Sequence, residues 1–370
     1  MSTPRERAGQ VLWIGFEADT LTRPLEDLLR EIRPGGAVFF QRNIAAPDQF
    51  RALVGQLANL LSEFAPPFLA VDLEGGKVDR FRELLAPLPC VRDAARAGLA
   101  RELGRIAGRE VAFFSLNVNF APVLDVASPE SAPVLGSRTA GESPQGVADF
   151  GREFLAGLAQ SGVLGCGKHF PGLGSGCLDS HFAMPRIEKS SAQLWDHDLF
   201  PFRALVSSLP MVMVAHAAYP ALEGDAPSGT LLPASLSRRI VSSLLKQDIG
   251  FGGLVISDDL EMGGALEGRT IGEAAVAAIE AGCDMLLVCR QTDHVRAAFE
   301  AIVRRCERDT AFSAAVERAS NKINQARRQL PRAPTFGDQS SRDALRAEIL
   351  GLAEEIDRRV SEDNGKGIGA

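Results

Sequence analysis

The residues best suited to chemistry lie together in Gly167-Lys168-His169-Phe170-Pro171-Gly172-Leu173-Gly174, followed closely by Asp179-Ser180-His181. Lys168, His169 and His181 can carry charge or move protons, and the surrounding glycines and proline mark a stretch that binds or reacts rather than one that fills a core. The front of this stretch resembles a phosphate-cradling glycine loop, but His169 stands where such a loop needs Ser or Thr, and Phe170-Pro171-Gly172 is a poor helix start. The spacing of His169, Asp179 and His181 fits no compact zinc pattern, so no metal is expected. An acid/base pair remains. An aspartate two residues before a histidine can reach one imidazole nitrogen in a tight turn, orienting the ring and leaving its other nitrogen to exchange a proton. An isolated Asp-x-His would ordinarily be a solvated turn; the neighbouring Lys-His-Phe-Pro-Gly stretch favours the chemical reading.

Cleaving an acetal also needs a group that stabilises or captures the cationic sugar carbon. Asp258, in Ser257-Asp258-Asp259-Leu260 after the apolar run Gly253–Ile256, is placed for that role, with Asp259 expected to be structural. Asp72, Glu74 and Arg80 follow another apolar run. They can hold sugar hydroxyls by charge-assisted hydrogen bonds, or form an ion-pair network at a rim.

These groups need a frame. Eight apolar runs, at 11–16, 37–40, 68–71, 118–125, 163–166, 211–215, 253–256 and 285–288, are mostly separated by helical segments and read as buried parallel strands. Arg42, Asp72, Asp125, Lys168, His169, His216 and Asp258 fall at the carboxyl ends of these runs. That pattern predicts an α/β fold, a (β/α)8 barrel with its active site at that face. The barrel domain is expected over residues 1–305. Residues 306–370 are expected to form a helical extension, with helices over about 311–329 and 341–360, and a disordered tail beginning near Asn364.

Composition narrows the function. A net charge of −7 argues against a nucleic-acid binder, and 45% hydrophobic residues support a sizeable core. No apolar stretch is long enough to cross a bilayer, and the run at 11–16 is too short for a signal peptide, so the chain is expected to be cytoplasmic and without a membrane partner. The six cysteines form no CxxC pair and read as reduced thiols, with Cys166 and Cys177 nearest the reactive stretch.

The set of motifs resembles glycoside hydrolase family 3, and within it the NagZ-type β-N-acetylglucosaminidases. The resemblance rests on five segments in the family's order, spread across residues 70–262: AVDLEGGKVDRF at 70–81, NFAPVLDV at 119–126, KHFPGLG at 168–174, DSH at 179–181 and SDDLEM at 257–262. With flanking strands it covers roughly residues 10–300. It implies a retaining exo-β-N-acetylglucosaminidase. Asp258 would be the nucleophile, His181 the acid/base and Asp179 the group orienting His181. Asp72, Arg80, Arg138, Lys168 and His169 would bind the terminal sugar. The implied substrate is a small carbohydrate, GlcNAc linked to 1,6-anhydro-MurNAc in peptidoglycan recycling, handled by a monomer without cofactor. The alternatives are a family 3 enzyme of other sugar specificity, a GlcNAc phosphorylase, or a barrel that binds muropeptides without cleaving them. Leu73, Lys77 and Leu173 depart from the family's usual Gln, Arg and His.

Overall fold

The computed structural model describes residues 2–129, 131–132, 135–175, 184–223, 231–330 and 337–366. Each apolar run becomes a barrel strand: β1 Leu12–Ile14, β2 Gly36–Phe39, β3 Phe68–Val71, β4 Val118–Asn119, β5 Leu164–Phe170, β6 Met211–Val214, β7 Leu254–Asp259 and β8 Met285–Val288. They form a closed barrel in which each strand pairs in parallel with its sequence neighbours, and β1 closes on β8 with Trp13 opposite Leu287. Parallel strands require crossovers, which helices supply on the outside.

Local signals set the helix ends. Thr270 caps helix Ile271–Ala281 in a box with Glu273, satisfying donors the first turn leaves open. Gly282 ends it at φ 116°, a left-handed conformation in which a side chain would be strained. Within the barrel, Trp13 stacks between Phe68 and Phe120, with centroids 5.3 and 5.5 Å away. Outside it, Phe50, Phe81 and Phe114 join helix Pro47–Ser62 to helix Ala100–Phe113. The barrel fold expected from the eight runs is therefore the one observed.

Three boundaries differ from the sequence reading. The fourth run is a strand only at Val118–Asn119, followed by a single bridge from Val123 to Lys168. The fifth strand does not stop before the reactive stretch; it continues through Lys168 and His169 to Phe170, so these residues stand on a barrel strand rather than a loop. Pairing of Phe170 with Val214 of β6 extends it. At the other end, helix Thr292–Arg308 runs across residue 305, because it is the crossover helix of the eighth unit. Helices Thr310–Arg327 and Gln339–Lys366 follow, and the latter runs through Asn364 rather than breaking there. Its Leu345, Ile349, Leu352 and Ile356 are buried. Among the described residues, no helix is long and apolar enough to cross a membrane.

Candidate active site

The carboxyl ends of the strands surround a pocket of about 210 Å³. Asp72, Arg80, Arg138, Lys168, His169 and Asp258 all line it. Six of the eight predicted site residues are thus brought together from separate parts of the chain. The remaining two, Asp179 and His181, lie outside the described residues.

Strand β3 runs directly into a two-stranded ribbon, Leu73–Gly75 with Val78–Asp79, which carries Glu74 and leads to Arg80. Asp79 fixes its return by accepting the N–H groups of Phe81 at 2.9 Å and Leu88 at 2.8 Å. Asp72 and Glu74 each accept from the Lys168 ammonium, both at 2.7 Å. Arg138, on the short turn Gly136–Arg138, donates from two nitrogens to the two oxygens of Glu74, at 2.7 and 2.8 Å. Arg80 lies 3.9 Å from Asp72. This acidic and basic cluster is an ion-pair network, and it lines the pocket.

Burial sharpens the electrostatics. Glu74 is fully buried and the Lys168 side chain is 3% exposed. Burial alone would push the Glu74 carboxyl up, but Lys168 and Arg138 outweigh it and hold it far below the usual carboxylate range. Burial also works against the Lys168 ammonium, and Asp72 and Glu74 reverse that effect and raise it. Glu74 and Lys168 thus each favour their charged form.

His169 is aimed by Asp125. Its Nδ1–H donates to Asp125 Oδ2 at 2.7 Å, which leaves Nε2 available to a ligand. The other carboxylate oxygen accepts the N–H groups of His169 at 3.3 Å and Leu173 at 2.7 Å, so one buried carboxylate holds both the ring and the turn after it. The Lys168–His169 and Phe170–Pro171 peptides are cis. Gly172, at φ 133°, accepts from the Tyr219 hydroxyl at 2.8 Å, and a Cβ there would come 2.8 Å from Asp198 Cβ. The Leu173 side chain completes the apolar part of the wall.

Asp258 and Asp259, adjacent on β7, are driven in opposite directions. Burial would raise the Asp258 carboxyl, but His216, His169 and Lys168, with the Asp259 N–H at 2.8 Å, hold it below its ordinary value. Asp259 is pushed up to about 7, mainly by burial, with Glu261 and Asp258 adding to the effect. Its Oδ1 accepts the N–H groups of Glu261 and Cys289, joining the ends of β7 and β8. His216 is held at both ring nitrogens, Nδ1 by a hydrogen bond with Ser235 Oγ at 2.7 Å and Nε2 by donating to the Asp259 carbonyl at 3.0 Å. Such a split between neighbouring carboxyls is how one site keeps an ionised group beside a protonated one.

Sequence reasoning placed Asp125 and His216 at the correct strand ends without giving either a task; their partners are 44 and 19 residues away and only the fold supplies them. Arg42, from the same set, turns out to bind the barrel seam instead, donating to the carbonyls of Phe16 and Cys289. Cys166 is buried and its thiol is pushed well up, so it is packing, not chemistry.

Residues 3–325 match the family model described as the glycosyl hydrolase family 3 N terminal domain. The chain belongs to glycoside hydrolase family 3. This family 3 glycoside hydrolase is 38% identical over 297 residues to a beta-hexosaminidase of Alkalilimnicola ehrlichii, covering 77% of this chain and 82% of the relative. It is 37% identical over 291 residues to a beta-hexosaminidase of Pseudomonas aeruginosa, covering 77% and 83%. Among solved structures, it superposes on a family 3 beta-N-acetylglucosaminidase from Paenibacillus sp. str. FPU-7 with a TM-score of 0.84, at 30% identity, covering 94% of this chain and 68% of the other. It superposes on native NagZ from Neisseria gonorrhoeae with a TM-score of 0.70, at 29% identity, covering 85% and 98%.

Proposed function

We propose that this glycoside hydrolase is a retaining exo-β-N-acetylglucosaminidase with Asp258 as its nucleophile. The observation that carries the reading is the position of Asp258: a carboxylate held ionised on the wall of a pocket whose other walls are Asp72, Arg80, Arg138, Lys168 and His169. A volume of about 210 Å³ suits a single sugar ring and lies below the ~300–1,000 Å³ of sites for larger ligands, in keeping with exo action. The beta-hexosaminidase relatives and the beta-N-acetylglucosaminidase and NagZ structures support GlcNAc as that sugar.

In this mechanism the Asp258 carboxylate attacks the anomeric carbon while the bond to the leaving oxygen breaks, and His181 gives its proton to that oxygen. Water then attacks the glycosyl ester, His181 takes a proton from it, and Asp258 leaves as carboxylate. Asp179 orients His181. Lys168, Arg138 and Arg80 donate to sugar hydroxyls, and His169 offers Nε2. The same resemblance makes GlcNAc-1,6-anhydro-MurNAc the natural substrate, handled in the cytoplasm.

The test is turnover of aryl β-N-acetylglucosaminides with leaving groups of graded acidity. Asp258→Asn should abolish turnover of all of them, and His181→Ala should spare good leaving groups while stopping poor ones. Intact-mass measurement on the wild type during turnover should find a glycosyl adduct on the peptide containing Asp258. Full activity in Asp258→Asn, or equal losses across leaving groups in His181→Ala, would overturn the assignments.

A further inference from the structure

Away from the pocket, the outer face of the barrel carries a cavity of about 890 Å³. It is bounded by helices Arg239–Asp248, Ile271–Ala281 and Thr310–Arg327. Its charges do not balance. Arg238 and Lys246 line it from the first of these helices and its start, and Arg318 and Lys322, four residues apart and so on one face of their helix, line it from the last. Against these four cations stand Glu280, Asp284 and Asp309. Two of those carboxylates are already engaged by Arg305, at 2.9 Å for Glu280 and 3.0 Å for Asp309. Asp284 is left to serve Lys246 at 2.8 Å and Lys322 at 3.0 Å, while also accepting the Val255 N–H at 2.8 Å.

The Lys246 and Lys322 side chains line the cavity and remain 25% and 28% exposed, and an ammonium carries three donors. Arg238 and Arg318 are both exposed. Burial lowers the Lys322 ammonium, Asp284 works against that, and the neighbouring Lys246 adds to it. The surplus is local, since the chain as a whole carries −7. Phe312, Ala315 and Leu236 give the same cavity an apolar side.

We propose that this cavity binds a small organic anion bearing at least two carboxylate or phosphate groups, held by Arg238, Lys246, Arg318 and Lys322. The volume lies within the ~300–1,000 Å³ of small-molecule sites, and four cations on one cavity lining suit a ligand charged at more than one point.

Isothermal titration of the full chain with citrate and with inorganic pyrophosphate, each against potassium chloride at matched ionic strength, tests this. Saturable one-to-one binding of either probe is expected, and the probe that binds tells carboxylate from phosphate ligands. Arg238→Gln and Arg318→Gln alter exposed side chains and should leave folding intact. Each should weaken binding roughly tenfold, the loss of one charge-assisted contact, with hydrolysis of an aryl glycoside unchanged. Lys322→Met should weaken binding at least as much. No saturable heat beyond the chloride control, or unchanged affinity in both arginine variants, would overturn the site. Because binding is read as heat, that result is independent of the glycosidase assignment.

Discussion

Glu74 is enclosed by Lys168 and Arg138 with no exposed surface, and these ion pairs order one side of the pocket. A buried charge relieved of its partner is costly, so Glu74→Gln should destabilise the protein by about 3–5 kcal/mol and raise KM for the sugar. Thermal unfolding and steady-state kinetics would check both. The pH sign follows from the depressed carboxyl: its contribution is complete above the ordinary carboxylate range and is lost as pH falls through the lowered value. The difference in melting temperature between wild type and Glu74→Gln should therefore narrow in acid. At the same scale, Asp125 does for His169 what Asp179 is proposed to do for His181. Asp125→Ala frees the ring and two backbone donors at once. It should lower kcat/KM by about tenfold or more, the cost of a buried charge-assisted bond.

At the scale of elements, strand β5 and the ribbon after β3 present the charged side chains, and the outer helices hold those elements in place. The C-terminal helix Gln339–Lys366 contributes no side chain to the pocket lining. Glu348 joins it to Arg105 and Arg109 of helix Ala100–Phe113, and Arg342 donates to the Leu84 carbonyl. Its Ile349 is fully buried. Ile349→Ala should cost about 2–5 kcal/mol in chemical denaturation while leaving KM unchanged, because the cavity it opens lies between helices and not at the barrel mouth. A large change in KM with unchanged stability would show that this helix shapes the pocket directly.

For the molecule as a whole, two buried acids contribute to the response to alkali. Glu110 is fully buried, neither of its carboxyl oxygens has a hydrogen-bond partner among the described residues, and burial, helped by Asp79, pushes it well above its ordinary value. Asp259 is pushed up to about 7. Each group binds its proton more tightly folded than unfolded. The stability this contributes is complete below the unfolded value and is lost as pH rises through the folded one. Glu110→Gln and Asp259→Asn cannot ionise at these positions. Their melting temperatures should gain on the wild type as pH rises from about 5 to 8, measured by calorimetry. Parallel profiles for wild type and both variants would rule the mechanism out.

The barrel was legible in the sequence because its strands are buried on both faces, which forces continuous apolar runs, and because polar residues collect where those runs end. Asp72, Lys168, His169 and Asp258 could be picked out by type and position alone. Their arrangement could not, since it depends on pairs far apart in the chain, such as Lys168 with Asp72 and Arg138 with Glu74, 96 and 64 residues away. Nor could the extent of β5, because the residues 168–174 read as a glycine-rich loop until Phe170 finds Val214 across the ladder. The opposite shifts of Asp258 and Asp259 were equally hidden. Neighbours in sequence with the same side chain, they differ only in what the folded barrel places around each: cations by one, buried backbone and further carboxylates by the other. Sequence by itself determined which residue types reach the mouth of this barrel; the tertiary structure decided which of them hold charge there, because charge in a buried site is set by burial and by partners that only folding brings near.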